Sequence, residues 1–377
     1  GRKGVEPGEL IMAKVDLAMG NDITAPIAIE EFRAVGAKKV FDRTRVALVP
    51  SHFAPNKDIK SADQCNVMRQ FAREQEITHY YEQGQAGIEH ALLPEKGVVV
   101  PGDVLIGADS HSCTYGAVGC FSTGVGSTDL AAILVTGEVW LRVPESFKFI
   151  YHGKLRPWVT GKDMILNVIG RVGDDGAHYM AMEHTGETVD RMSMDQRLTM
   201  CNMAIEAGAK SGLVAPDEIT MAYMKNRAER KPVIYTSDKD ATYARVEEFD
   251  CAKMVPTVAF PHLPSKARPV TEAAHIKVDQ AFIGSCTNGR IEDLRIAAGI
   301  LKGRKVHPYT RLIITPATQG AALLSAREGL TEIFIESGAV VTAVSCGACL
   351  GGHSGVLGAG EKCISTTNRN YVGRMGS

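Results

Sequence analysis

Three cysteines stand where a metal could use them. Cys346 and Cys349 form the one Cys-x-x-Cys of the chain, in SCGACLGGH, and Cys286 lies upstream in GSCTNGR. Structural zinc takes four ligands in a closed tetrahedron, and an electron-carrying 4Fe–4S cluster takes four thiolates. A cubane held by three thiolates leaves one iron without a protein ligand, open to an oxygen that it can polarise as a Lewis acid. Three thiols therefore point to a cluster used for catalysis. A lone Cys-x-x-Cys also serves as a redox pair or as two buried thiols. Cys363 is a rival fourth ligand, and Cys113, in HSCT, sits in a context much like that of Cys286. Cys65, Cys120, Cys201 and Cys251 read as core or surface thiols.

Loops at the ends of strands must bring such thiols together. Val104–Ile106 runs into GADSH, Ala281–Ile283 into GSC, Leu312–Ile314 into Thr-Pro, and Val340–Val344 into SC. Each is a short β-branched run ending in small or polar residues, and open α/β sheets bind ligands beyond the carboxyl ends of their strands. Helices are expected over 129–141, over 193–210 behind a Ser193-x-x-Gln196 capping box, and over 323–329. GVGST at 124–128 lacks the third glycine of a dinucleotide fingerprint and the lysine of a P-loop, and reads as a tight strand-to-helix turn. Pro144, before a strand at 147–151, and the proline-rich stretch 255–270 mark boundaries. They divide the chain into α/β domains at 1–144, 145–262 and 263–377, the last carrying the three cysteines. The basic run 225–231 reads as a solvated turn.

Composition agrees with a large, loop-rich α/β chain: 377 residues, 45% hydrophobic, with 38 glycines. A formal net charge of -1 offers no broad field for nucleic acid or an anionic membrane. No apolar run nears the ~20 residues of a membrane span, and no stretch reads as a signal peptide, although a removed leader stays compatible with a first residue of Gly1. Nine cysteines over this length are too sparse for a disulfide scaffold, so reduced thiols and a cytoplasmic location are expected.

GSCTNGR, CGACLGGHSG, TTNRNYVGRMG at 366–376, GADSHSCTYGA at 107–117 and MCNMAIEAGAK at 200–210 occur in the order found in the aconitase superfamily. The chain resembles that family from Val15 to Gly376, and most closely its isopropylmalate dehydratase large subunits. The resemblance implies three α/β domains around a 4Fe–4S cluster held by Cys286, Cys346 and Cys349. It also implies a swivelling fourth domain supplied by a separate small subunit, in a heterodimer or heterotetramer, since no such domain follows here. Relatives usually continue for some tens of residues more. By the same resemblance His52, His90, Asp109, His111 and Glu206 are catalytic, while Asn202, Asn368, Arg369 and Arg374 meet substrate or cluster. The implied reaction removes and re-adds water on a 2-substituted malate, exchanging 2- and 3-isopropylmalate. The base for the carbon-bound proton is a serine of the swivelling part.

Elementary chemistry supports several of these roles. Asn202 and Glu206, four apart on one helix, share a face, though a polar pair there also reads as a solvated stripe. Arginine forks suit a dicarboxylate, and Asp109 can fix the tautomer of a neighbouring imidazole. One departure stands out. Relatives commonly carry Asp immediately before the histidine at 52, and here it is Ser51. Either His52 works less well as a proton donor or another carboxylate takes over, and Ser51→Asp is expected to raise the turnover of the assembled enzyme. Homoaconitase and 2,3-dimethylmalate dehydratase large subunits are alternatives within the family. An iron-responsive RNA-binding protein and a zinc-structured or electron-transfer protein, the latter needing a fourth ligand such as Cys363, are alternatives outside it.

Overall fold

The structure is a computed structural model and describes residues 4–376. Three parallel sheets carry it. The first has the strand order 79–80, 46–49, 17–21, 104–107, 121–124. Its central strands Leu17–Asn21 and Val46–Val49 are buried at every residue, which is why they read as continuous apolar runs rather than alternating ones. Alternate side chains feed two cores. Ala18, Val46, Leu48 and Ile106 pack with helices Ala25–Ala34, Ile59–Glu74 and Ser127–Thr136. Leu17, Met19, Ala47 and Leu105 pack with helix Glu89–Lys96 and the short 3-10 segment Ser110–Val118.

The second sheet has the order 211–213, 181–185, 146–152, 245–250, all parallel, with Phe147, Phe149 and Tyr151 facing helices Gly161–Val172 and Met194–Asn202. The third has the order 340–341, 311–314, 280–283, 363–365, also parallel. Leu312 and Ile314 pack beneath helices Ile291–Leu301 and Leu330–Ser337. Each of the strands 104–107, 280–283 and 311–314 ends in a loop, as their sequences indicate.

Several boundaries differ from the sequence expectation, and glycine explains most of them. The helix expected at 129–141 spans 127–136 and stops at Gly137, whose φ of 69° is left-handed and whose missing Cβ leaves room for the Phe41 ring. Residues 138–142 then form a strand that pairs with 10–14. The helix expected to reach 210 ends at Asn202, tightens to a 3-10 turn over 203–207 and stops at left-handed Gly208. Ser193 does cap it, accepting from the Gln196 amide, but the Gln196 side chain turns to Glu292 and Gly161, so no reciprocal box forms. The helix expected at 323–329 is Gln319–Arg327, and left-handed Gly329 separates it from a further helix. The strand expected at 340–344 pairs only at Val340–Val341. Stretch 255–270 is extended but folds into a small antiparallel ribbon. In the basic run, Arg230 is not a solvated charge: it forks onto both oxygens of Asp103 at 2.6 and 2.7 Å.

The 3-10 segment 110–118 is wedged against strand 211–213, and this contact aligns the first two sheets. Val214 donates to the Gly116 carbonyl at 3.0 Å, and a Cβ on Gly116 would lie 1.6 Å from the Gly212 carbonyl oxygen. Only glycine admits that approach. Gly116→Ala is expected to cost about 3 kcal/mol. Gly299→Ala, within a helix and with open space around it, is expected to gain up to about 1 kcal/mol. Thermal and urea unfolding of the two variants read the difference, and equal midpoints would refute the wedge.

Candidate functional site

The side chains singled out in the sequence come together where the three sheets meet. Asp109 lies just past strand 104–107 and caps the 3-10 segment, accepting from the His111 amide at 2.8 Å. Its carboxylate also bonds His90 Nε2 at 2.8 Å and lies 3.8 Å from His52 Nε2. Burial opposes its charge, yet hydrogen bonds from His111 and His90 hold it well below the usual carboxylate range. His90 sits on the first turn of helix 89–96, with Nδ1 3.2 Å from the Tyr115 hydroxyl. Burial works against its charged form, but Glu89 and Asp109 outweigh that and raise it above the ordinary imidazole value.

His111 Nε2 lies 2.8 Å from Glu206 on the 3-10 turn of the second unit. Glu206 also accepts from Arg369 Nε at 3.0 and 3.1 Å and from the Tyr371 hydroxyl at 3.2 Å. Its side chain is fully buried, but His111 and Arg369 overcome the desolvation and keep its carboxyl below the usual value. Asn202 and Glu206 therefore face inward and are no solvated stripe. They stand on successive helical turns of different pitch, not on one regular helix.

Asn202 donates to Thr114 at 2.8 Å and accepts from Asn368 at 3.0 Å. Asn368 in turn touches two of the thiols: its Nδ2 lies 3.3 Å from Cys286 Sγ, and Cys349 Sγ lies 3.6 Å from its Oδ1. Cys286 follows strand 280–283 through Ser285, held at a φ of 75°. Cys346 donates its amide to the Ser51 carbonyl, and packs with Cys286 against Ile88, Ala91 and Ala317. Arg374 lies against Cys349 and opposes the upward push that burial gives that thiol.

The donor set tests whether the three thiols suit a cluster. Each of the three cysteines is 5% exposed, Cys286 and Cys346 within one apolar cluster and Cys349 beside Asn368 and Arg374. Burial pushes all three thiols up, and they add to one another's cost. Ligation to iron requires the thiolates and neutralises them. Among the described residues they do not converge within 4.8 Å as ligands of a single ion do; only His52, Glu89 and Asp109 do so. Three soft, buried, separated sulfurs fit the faces of a polynuclear cluster. Cys363 does not belong to this set. It pairs with Gln280, at the opposite end of the strand that leads to Cys286, and its Sγ donates to the Ile364 carbonyl. Cys113 points to the Asn202 carbonyl within the second core, where Cys201 and Cys251 also lie.

Four further residues escaped the sequence reading. Asp22, just past strand 17–21 and 0% exposed, accepts the amides of Ser51, His52 and Phe53 at 2.8, 2.9 and 2.6 Å. Asn21 reaches Glu89 Oε1 at 2.9 Å and Asp109 at 3.4 Å. Glu89 is itself 0% exposed. Lys162 sends its ammonium to the carbonyls of Thr366 and Thr367 at 2.8 and 2.7 Å. Burial lowers it to about 8 against the pull of Cys349 and Cys286. Asn21 and Asp22 end a strand, which is the signal that found Asp109. Glu89 and Lys162 stand at helix starts, where charge ordinarily reads as solvated.

Comparison with known proteins agrees with this arrangement. Residues 3–275 and 268–377 match the Aconitase family (aconitate hydratase). The chain is 61% identical over 376 residues to the 3-isopropylmalate dehydratase large subunit of Thermodesulfovibrio yellowstonii, covering 100% of this chain and 89% of that one. It is 61% identical over 372 residues to the protein of that name from Syntrophus aciditrophicus, with 99% and 89% covered. The crystal structure of Thermococcus kodakaraensis aconitase X (holo-form) superposes with a TM-score of 0.54 at 14% identity, over 89% of this chain and 79% of that one, a likeness of fold alone. With its parallel sheets, its thiols and these full-length similarities, the chain belongs to the aconitase family.

Proposed function

We propose that this chain is the large subunit of a 3-isopropylmalate dehydratase, a hydro-lyase of leucine biosynthesis that exchanges 2- and 3-isopropylmalate through isopropylmaleate. The observation that carries the reading is 61% identity across the whole chain to large subunits of that name. Each sheet forms the core of one α/β domain, 1–144, 145–262 and 263–377, and the site is the cleft between them. All nine cysteines are free, which suits a reducing compartment, and among the described residues no helix is long and apolar enough to cross a membrane. The cytoplasm is the location that fits.

Cys286, Cys346 and Cys349 would hold a 4Fe–4S cluster, which when bound supplies a Lewis acid at an iron that no protein side chain occupies. The chain's own residues do the rest. His90 and His52, facing Asp109, carry the proton that the departing hydroxyl needs. Glu206 fixes His111 and Arg369 in place. Arg369 spends only its Nε on Glu206, leaving its terminal nitrogens without protein partners among the described residues and free to fork onto a substrate carboxylate. Arg374 serves a second carboxylate, while Asn202 and Asn368 order the wall beside the thiols. The base for the carbon-bound proton belongs to the small subunit, as does most of the contact with the alkyl group of the substrate.

Two outcomes follow. After anaerobic reconstitution, the chain should carry about four iron and four acid-labile sulfide with no zinc, and Cys286→Ser should lose most of both; one zinc without sulfide would overturn the cluster. Steady-state assay of 3-isopropylmalate dehydration should find negligible turnover for the chain alone and restoration by the small subunit. Full activity without that subunit would sink the split site.

A further inference from the structure

His52 has as its immediate neighbour in sequence not a carboxylate but a hydroxyl: Ser51 Oγ lies 2.9 Å from its Nδ1. Two buried carboxylates stand a little farther from the same nitrogen, Asp22 at 3.9 Å and Glu89 at 4.0 Å. They are not equivalent. Both oxygens of Asp22 are engaged by the backbone amides of residues 51–53, so its charge is committed to shaping the loop. Glu89 has one oxygen on Asn21, and its Oε2 is buried with no partner among the described residues. Glu89 also lies 3.6 Å from His90 Nε2. Asp109 also faces both imidazoles, but Glu89 is the one of the two that is fully enclosed and left with an unpartnered oxygen among the described residues.

An enclosed carboxylate with a free oxygen is costly unless a positive charge compensates it. We propose that Glu89 is a positioning residue, the shared counter-charge that aligns the His52 and His90 rings for proton delivery and favours the cationic form of His90. This rests on the dehydratase reading for what the proton does, but not for where the charge sits. The other groups facing the pair are Asp109 against both rings, Tyr115 and Arg290 beside His90, and Ser51 and Asp22 beside His52. His111, 6.3 Å from His90 between ring centres, is held separately by Glu206. Among these, Arg290 opposes a cationic His90, and Glu89 is the largest influence favouring it. Ser51 then leaves His52 without a neighbouring charge in sequence but not in space.

The geometry also supplies a rescue. Position 51 faces the same nitrogen of His52 that Glu89 approaches, so a carboxylate placed there can stand in for Glu89. In the assembled two-subunit enzyme, Glu89→Gln should lower kcat for dehydration at least tenfold with KM little changed. It should also move the alkaline limb of the kcat profile to lower pH by about one unit. Combining it with Ser51→Asp should recover most of the lost kcat and return the limb. A uniform loss of kcat with the limb unmoved, or a double variant worse than Glu89→Gln, overturns the proposal. Should Glu89→Gln fail to fold, Glu89→Asp, which keeps the charge, must retain the wild-type limb, and a limb displaced as above overturns the role. Titration of 13C-labelled histidines in the full chain, assigned by His52→Gln and His90→Gln, separates this idea from the dehydratase reading. A His90 midpoint that falls in Glu89→Gln relative to the wild type upholds Glu89 even if no substituted malate is turned over. A His90 midpoint that Glu89→Gln leaves unmoved overturns it even if the enzyme is active.

Discussion

A hydrogen-bonded run, from His90 to Asp109 to the His111 amide, and from the His111 ring to Glu206 to Arg369, is the constraint on which the site depends. Its members come from all three units: a helix and a strand-end of the first, a 3-10 turn of the second, and the 366–370 loop that follows the last strand of the third. Removing one partner of such a buried pair costs about 3–5 kcal/mol, because the other charge is stranded. The units therefore cannot slide past one another without breaking the run. The same fixed contacts hold Asp109 and Glu206 ionised in spite of their burial. Architecture and electrostatics are here one requirement, since the charges dictate where the strand ends must meet.

Much of this was legible in the sequence because strand ends are conspicuous. A β-branched run that stops at small or polar residues is visible without coordinates, and it led to Asp109, His111, Cys286 and Cys346. The resemblance added His52, His90, Glu206 and the arginines, and the structure places all of them around one site. Helix ends were less legible. Gly137, Gly208 and Gly329 all stand at helix ends in the left-handed region; Gly329 reads as a stop in the sequence, but Gly137 and Gly208 do not announce whether they end an element or merely weaken it. The partners of charged residues were least legible of all. Glu89 and Lys162 have the ordinary look of solvated helix ends, and only the fold shows that Glu89 reaches Asn21, 68 positions away, and that Lys162 reaches Thr366 and Thr367.

Lys162 shows how such a partner acts at a distance from the thiols it serves. Its ammonium holds two consecutive carbonyls of the loop that continues into Asn368 and Arg369. Asn368 spends its amide on Asn202, Cys286 and Cys349, and Arg369 spends its Nε on Glu206. One cation near the start of helix Gly161–Val172 thus sets the approach of both residues. A side chain without a donor there would leave the Thr367 carbonyl unpaired and the Thr366 carbonyl with the Thr287 hydroxyl alone, and a free-swinging cation would not fix the loop. Burial weakens the lysine's own charge, while the nearby thiols favour it. The loop is thus held by a cation that lies near the same sulfurs that its Asn368 contacts. Lys162 therefore ties the neighbourhood of the three thiols to the 366–369 loop through a contact that neither the cysteines nor Arg369 and Arg374 make themselves.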